Sequence, residues 1–183
     1  AGLMEQKDDM ILPLVRLRPF WGLIVAEELD WTTDAASRTN AVMGITGGTQ
    51  SLSKMTVRHR SRLTLDLGTG TGIQAMLAAD HSDKVIATDL NPRALNFARF
   101  NAQLNGISNI EFLEGDLFQP VKGKTFDLII CNPPFSVSPD FKCLYRDNPM
   151  DDDDFIKRIV HEVPRYLSKD GYAHIIGHWV QSE

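Results

Sequence analysis

The chain has 183 residues, of which 43% are hydrophobic and 23% charged, a composition typical of one globular domain rather than of a disordered or collagen-like protein. No apolar run reaches the ~18 to 20 residues that cross a membrane, and charges near the N-terminus interrupt any signal peptide, so a soluble chain without a membrane partner is expected. A net charge of −5 excludes a wholly basic coat for nucleic acid, although it leaves room for a local basic patch. Two cysteines are too few for a disulfide framework or a four-cysteine zinc site, which favours a cytoplasmic location.

The first part of the chain has the least regular pattern. Apolar residues at 14–17 and 23–25 predict two strands, and three glycines within 44–48 predict a flexible loop. We interpret residues 1–60 as a small accessory segment or lid. The chain has one concentration of basic residues, which lies where this segment ends. It comprises Lys54, Arg58, His59, Arg60 and Arg62.

From residue 61 onward, short apolar runs alternate with helical periods. The apolar runs predict five buried strands, at 63–67, 85–88, 110–113, 126–131 and 172–176. Two of the predicted helices have clear ends and lie at 91–105 and from the acidic run 151–154 to about 167. Strands that alternate with helices predict a doubly wound, mostly parallel α/β sheet in a core domain at 61–183.

A glycine-rich turn follows the first of these strands and opens a helix. Its notable residues are Asp66, Gly68, Gly70 and Gly72. Glycines let the backbone turn sharply and approach a ligand, although a tight turn without a ligand is the alternative. The spacing of dinucleotide-binding turns would require glycine at Ile73 or Ala75, which weighs against an NAD-linked oxidoreductase. Because Asp66 suits an ammonium group better than a pyrophosphate, the turn favours a nucleoside that carries an amino acid.

Two further acids follow the next two strands. Asp89 stands where a carboxylate can accept both ribose hydroxyl protons, and Asp116 comes just after the third strand. The carboxyl ends of parallel strands meet at one edge of the sheet, so these acids and Asp66 are expected to converge on one crevice. A single such acid is often a helix cap or a solvated loop residue, but their joint placement favours a binding site.

A four-residue motif after the fourth strand narrows the chemistry. It consists of Asn132, Pro133, Pro134 and Phe135. The prolines fix the backbone and remove two donors, Asn132 adds a side-chain acceptor, and Phe135 adds a flat apolar face. These groups suit a planar amine. Two acceptors can take hydrogen bonds from both N–H groups, pull the nitrogen toward tetrahedral geometry and so free its lone pair for attack on a methyl group. A rigid loop that merely closes the strand is the alternative reading of the motif.

The combination of turn, acids and motif resembles the class I S-adenosylmethionine-dependent methyltransferases. The resemblance covers about residues 63–177 and implies S-adenosylmethionine as the cofactor. It implies that Gly68, Gly70 and Gly72 line the methionine part and that Asp66 holds its amino group. It also implies contacts of Asp89 with the ribose hydroxyls, of Leu90 with the cofactor, and of Asp116 and Leu117 with the adenine amino group and ring.

The Asn-Pro-Pro-Phe motif is similar to the signature of amino-methyltransferases. The resemblance implies that its four residues, Asn132, Pro133, Pro134 and Phe135, are catalytic and that Asn132 also binds the cofactor. The resemblance implies methylation of a planar nitrogen of a macromolecule. We favour a glutamine amide of a protein, as in HemK-like enzymes, because the catalytic half is acidic. An adenine or guanine amine of RNA or DNA is the alternative, supported by the basic cluster at 54–62, and a non-catalytic nucleoside-binding scaffold is a third possibility.

The sequence also bears on metal binding, oligomeric state and the size of the sheet. The five histidines show no metal-ligand spacing, so no metal is expected, and nothing indicates an oligomeric state. The family's sheet usually has seven strands, whereas five are predicted here. We therefore expect the sheet to lack its last strands and the core to be truncated at the C-terminus.

Overall fold

In the computed structural model of the chain, the structure describes residues 4–7, 9–29, 40–133 and 154–177. Hairpins come first, and strands then alternate with helices. In chain order the elements are β1 (Met4–Lys7), β2 (Met10–Pro13), β3 (Val15–Phe20), β4 (Leu23–Glu28), α1 (Gly47–Met55), β5 (Ser61–Leu67), α2 (Ile73–Ala79), β6 (Ser82–Asp89), α3 (Pro92–Leu104), β7 (Ile110–Glu114), β8 (Phe126–Cys131), α4 (Asp154–Glu162) and β9 (Leu167–Ile175).

The main sheet has five strands in the order β7-β6-β5-β8-β9. All four pairings between neighbours are parallel, so the predicted doubly wound α/β class is confirmed. The chain leaves β5 toward β6 on one side and later returns to β8 on the other side. This reversal of direction opens a crevice at the carboxyl ends of β5 and β8, which is the usual ligand position in such sheets.

Both faces of the sheet are covered by helices. One face packs against α4, whose Phe155 and Ile159 belong to a core cluster with residues of β5, β6 and β8. The other face packs against α1 and α2 through Leu52, Ala75 and Ala78. Because both faces are buried, the central strands read as continuous apolar runs in the sequence, which is why they could be predicted.

Helix α3 matches its prediction closely. The Asn91 side chain accepts a hydrogen bond from the Arg93 amide at 3.0 Å, and Pro92 occupies the first turn, where its missing N–H is not needed. The helix ends at Leu104, before Asn105 and Gly106, whose φ is +68°. The predicted apolar face is buried and consists of Ala94, Leu95, Ala98 and Ala102.

Strand β9 begins earlier than predicted. It starts at Leu167, but its pairing with β8 is irregular between Phe126 and Leu128, and regular register begins only at Tyr172. The intervening Gly171 lies close to β8, since a Cβ there would stand 2.8 Å from the Phe126 carbonyl oxygen. The polar run before Tyr172 therefore resembles a turn in sequence although it belongs to the strand.

The N-terminal strands β3 and β4 form an antiparallel hairpin. Trp21 and Gly22 make its two-residue turn with φ values of +52° and +82°, a geometry that hairpin turns favour although tryptophan rarely adopts it. Val25 on β4 is fully buried and clusters with Ile73 and Met76 of α2. The two predicted strands are thus present, and the hairpin packs on the core.

Two asparagines on α3 attach β4 to the main domain. The Asn101 side chain accepts from the Ala26 amide at 2.8 Å and donates to the Ala26 carbonyl at 3.0 Å. Asn105 makes the same two bonds to Ile24, each at 2.8 Å. Asn101 and Asn105 are four residues apart, which is about 6 Å along a helix. Ile24 and Ala26 are two residues apart, which is about 6.6 Å along a strand. The two side-chain amides therefore have nearly the same spacing as alternate residues of β4.

Helix α1 corrects the expected loop at 44–48. Gly47 and Gly48 are its first residues, so the loop prediction was wrong beyond Thr46. Thr46 caps the helix together with Thr49, because each side chain accepts a hydrogen bond from the other residue's amide. Two glycines lower the helix propensity and hid this start from the sequence pattern.

No helix in the described ranges is long and apolar enough to span a membrane. Within the same ranges, no group of three or more His, Cys, Asp or Glu side chains could hold a metal ion. The division at residue 60 stays a prediction, although the main sheet does begin at Ser61.

Candidate active site

The predicted glycine turn joins β5 to α2 at the carboxyl edge of the sheet. Gly68, Gly70 and Gly72 all have positive φ, at +72°, +55° and +85°. A Cβ on Gly68 would meet no atom within 4 Å, and one on Gly70 would meet only the Met43 carbonyl oxygen at 3.8 Å. These two residues therefore leave open space beside the backbone, as a ligand cradle requires.

Gly72 has a different surrounding. A Cβ on it would stand 2.9 Å from Cβ and 3.0 Å from Cα of Ala98, so glycine is needed here for close contact between the turn and α3. The predicted contact of Gly72 with the methionine part stays a prediction.

We expect Gly72→Ala to lower the free energy of unfolding by about 2–4 kcal/mol, because it adds a steric overlap with α3 to the strain of a positive φ. Gly68→Ala is the matched control and should cost only about 1 kcal/mol, since it adds the strain alone. Urea unfolding followed by circular dichroism measures both values. Equal losses in the two variants would show that α3 does not constrain Gly72.

Asp66 holds the glycine turn from inside the domain. Its side chain is buried, and Oδ2 accepts hydrogen bonds from the Thr69 hydroxyl at 2.6 Å and from the Ala75 amide at 3.0 Å. The second bond satisfies an amide in the first turn of α2. Burial raises the pKa of this carboxyl to about 7, with a smaller contribution from the nearby Asp89. Asp66 thus anchors the turn, and its contact with an ammonium group stays a prediction.

Asp89 connects two loops at the end of β6. Its Oδ2 accepts from the Gly70 amide at 2.8 Å, and its Oδ1 accepts from the Asn91 amide at 2.9 Å. Burial raises its pKa above the usual range, although these backbone donors oppose the shift. The side chain of the next residue, Leu90, is exposed. The ribose contact of Asp89 and the cofactor contact of Leu90 remain predictions.

A segment that the sequence marked only in part, as the start of a glycine-containing loop, borders this turn. We define residues 40–46 as the strap, which passes the glycine turn with the Met43 carbonyl near Gly70. The carbonyl of Asn40 accepts a hydrogen bond from the Asn91 side chain at 3.0 Å. The strap therefore lies at the same crevice as the predicted cofactor residues.

Two consecutive glutamates of β4 hold the strap. Glu28 accepts from the Val42 amide at 2.9 Å and pairs with Arg93 of α3. Glu27 accepts from the Ile45 amide at 2.8 Å.

The carboxylate of Glu27 is also enclosed by its neighbours. Arg16 and Arg18 both pair with it, at 2.8 and 3.1 Å, and a Cβ on Gly44 would collide with it. The acidic partner that Arg16 and Arg18 share lies on the neighbouring strand and could not be predicted from the sequence.

The third predicted acid stands on a turn after β7. The Gly115 amide donates to the Asp89 carbonyl at 3.1 Å, which brings the two acidic turns together. Asp116 pairs with Arg158 of α4 at 3.2 Å, and Leu117 has a φ of +43°. A bulky residue rarely adopts that conformation, so the turn is strained. The adenine contacts of Asp116 and Leu117 stay predictions.

Asn132 follows the end of β8 at the same edge of the sheet. Its side-chain oxygen Oδ1 is buried and has no hydrogen-bond partner among the described residues. Pro133 beside it is buried, whereas Pro134 and Phe135 lie outside the described residues. A buried amide oxygen without a partner is costly for a protein, so its presence at a crevice points to a donor supplied by a ligand.

The basic cluster lies at the opposite edge of the sheet. Arg60 pairs with Asp83 at 2.8 Å, Arg62 lies 3.7 Å from Asp127, and Arg58 stacks over the Trp21 ring. These residues flank the start of β5, roughly 20 Å along the strand from the glycine turn. The cluster therefore does not border the crevice, and its two acid-paired arginines are partly neutralised.

The residues at the crevice fit the nucleoside cofactor that the sequence implies. Gly68 and Gly70 leave a cradle free of side chains, Asp66 anchors it from inside the domain, and the carboxylates of Asp89 and Asp116 stand on the two neighbouring turns, where they would suit hydroxyl and amine donors. The strap adds a further backbone wall. This arrangement lies at a switch point of a parallel sheet, which is the usual position of a nucleoside ligand in folds of this class.

The fold agrees with the comparisons with known proteins. The model of the methyltransferase small domain family matches residues 41–181, and the chain belongs to this family. This confirms the class of protein that the sequence resembled. The match begins within the strap, ahead of β5.

Two relatives and one solved structure are similar to this chain. The chain is 36% identical over 132 residues to a candidate protein N5-glutamine methyltransferase of Methanocaldococcus jannaschii, covering 68% of this chain and 66% of that protein. It is 46% identical over 78 residues to the release factor glutamine methyltransferase of Deinococcus radiodurans, covering 42% of this chain and 27% of that protein. A crystal structure of an S-adenosylmethionine-dependent methyltransferase from Agrobacterium tumefaciens shares the fold, with a TM-score of 0.65 and 15% identity over 97% of this chain and 56% of that one.

Proposed function

We propose that the protein is an S-adenosylmethionine-dependent methyltransferase that methylates the side-chain amide nitrogen of a glutamine in a protein. The observation that carries this proposal is the buried, unpartnered Oδ1 of Asn132 at the crevice. The names of both relatives, which specify a glutamine, support the same substrate. A cytoplasmic location is part of the proposal, because protein synthesis takes place there.

The glycine turn and the two acids nearest to it bind the cofactor in this proposal. Gly68 and Gly70 give the cofactor close access to the backbone, and Asp89 holds its ribose while fixing Gly70. Asp66 keeps the turn in shape through Thr69 and α2. When bound, S-adenosylmethionine supplies an electrophilic methyl group on a positively charged sulfur.

Asn132 and Pro133 act on the substrate amide. The nitrogen of an amide is a poor nucleophile, because its lone pair is delocalised into the carbonyl group. Two acceptors, Asn132 Oδ1 and the Pro133 carbonyl oxygen, would take hydrogen bonds from both N–H groups and draw the nitrogen toward a tetrahedral form. The crevice thus activates the nitrogen by orientation and local electrostatics, and solvent takes the proton that leaves after transfer.

We expect Asp89→Ala to weaken the binding of S-adenosylhomocysteine by about 100-fold, because it removes both the ribose acceptor and the acceptor for the Gly70 amide. Asp83→Ala makes the same change of charge at the opposite edge of the sheet and should leave the Kd unchanged. Titration calorimetry measures both constants. An unchanged Kd for Asp89→Ala would contradict the ribose assignment.

The function is tested by transfer of a radiolabelled methyl group from S-adenosylmethionine to a cell lysate. Label that protease releases and nuclease leaves in place supports the proposal, and hydrolysis of the labelled protein should yield N5-methylglutamine. Label released only by nuclease would instead identify a base as the acceptor. Cofactor binding without any transfer would show a nucleoside-binding scaffold.

A further inference from the structure

An ion pair between Asp116 and Arg158 joins the turn after β7 to helix α4. Arg158 Nη2 stands 3.2 Å from Asp116 Oδ2, and Arg158 Nε donates to Glu162 at 3.1 Å. The side chains of Arg158 and Asp116 are 40% and 36% exposed. A pair so open to solvent contributes little to stability, so its geometry is better explained by what it does to Asp116.

The turn that carries Asp116 is held in one conformation. Gly115 donates to the Asp89 carbonyl, and a Cβ on Gly115 would collide with Pro120. Leu117 keeps a left-handed φ of +43°, which costs free energy unless the surroundings impose it. Strain of this kind is concentrated at ligand sites, and the Gly115 hydrogen bond holds the strained turn beside Asp89.

Arg158 contacts one of the two oxygens of the Asp116 carboxylate. Oδ2 is engaged by the guanidinium, whereas Oδ1 has no hydrogen bond to any residue that the structure describes. A carboxylate with one oxygen held by a guanidinium and the other still able to accept a hydrogen bond is an acceptor of defined direction. Helix α4 holds Arg158 in place, because Phe155 and Ile159 are anchored in the core.

We propose that Arg158 is a positioning residue that directs Asp116 Oδ1 toward the exocyclic amine of the cofactor's adenine and thereby selects adenine over hypoxanthine. The inference rests on the proposed function, since it concerns the cofactor of that reaction. Adenine presents an N–H donor at this position, whereas hypoxanthine presents a carbonyl oxygen that a carboxylate repels.

The test compares the binding of S-adenosylhomocysteine and S-inosylhomocysteine to the 183-residue chain by titration calorimetry. The wild-type chain should prefer the adenine compound by about 10-fold or more. Arg158→Met should reduce this preference below about 3-fold, because Asp116 then loses its fixed orientation. Arg158→Lys, which keeps the charge but not the planar fork, should retain an intermediate preference.

Lys157→Met is the matched control, because it removes one positive charge from the same helix at a residue that pairs with Asp154. It should leave the preference unchanged, and thermal unfolding of all variants checks that they fold. An Arg158→Met variant that folds and keeps the wild-type preference, or binds the adenine compound more tightly, overturns the inference. Failure of the wild-type chain to bind either compound would instead refute the proposed function.

Discussion

Asn132→Ala is expected to lower kcat for methyl transfer by about 100- to 1000-fold, the usual loss when one preorganised polar group is removed from a reacting centre. The Kd for S-adenosylhomocysteine should change by less than about 3-fold, because the cofactor contacts proposed above lie mainly on the glycine turn and the acids. The free energy of unfolding should stay constant or rise, because Oδ1 is buried without a partner. Single-turnover kinetics, calorimetry and urea unfolding measure these three quantities.

Asn132→Asp is the matched control for this prediction. It keeps an acceptor oxygen at the same position and should retain far more activity than Asn132→Ala. A parallel loss of cofactor affinity, or a large loss of stability, in Asn132→Ala would show that Asn132 maintains the structure rather than activating the substrate.

Asn101→Ala should cause a large loss of stability, about 3–5 kcal/mol. The Asn101 side chain is fully buried and bonds the backbone of Ala26 twice and the Thr71 carbonyl at 2.9 Å. Its removal leaves three buried backbone groups without partners. Because Thr71 belongs to the glycine turn, the same variant should also weaken cofactor binding. Urea unfolding and calorimetry measure the two effects.

Asn105→Ala provides the comparison one helical turn away. Asn105 bonds the backbone of Ile24 in a similar way, but these bonds are exposed, so water can replace them. The expected loss is about 1 kcal/mol. Similar losses for the two variants would mean that burial does not determine the strength of this attachment.

The sequence was most informative where local chemistry decides the structure. Asn91-Pro92 and Asn105-Gly106 bracket α3 because capping and chain termination depend on a few adjacent residues. The central strands could be predicted because burial on both faces makes them continuously apolar.

At the crevice, residue types could be predicted better than their roles. Gly72 looks like Gly68 and Gly70 in sequence, yet only its surroundings show that it is needed for contact with Ala98. Asp66 looks like a ligand contact, but its Oδ2 is engaged by Thr69 and α2. Such differences depend on neighbours that are distant in sequence.

The strap could not be predicted for the same reason. Its position depends on Glu27 and Glu28 of β4, which bond the amides of Ile45 and Val42 across a long interval of sequence. Neither partner carries a motif, and the glycines within residues 44–48 indicated only a loop. The pairing of Arg158 with Asp116 is equally invisible in sequence.

The attachment of β4 to α3 has a consequence for aggregation. A strand with free backbone donors and acceptors is a template on which strands of other molecules can add. On β4, the groups of Ile24 and Ala26 are already occupied by the amides of Asn105 and Asn101. The side chains of a helix do not present a new strand edge to which another strand could add. The two asparagines therefore block edge-to-edge growth on this side of the hairpin.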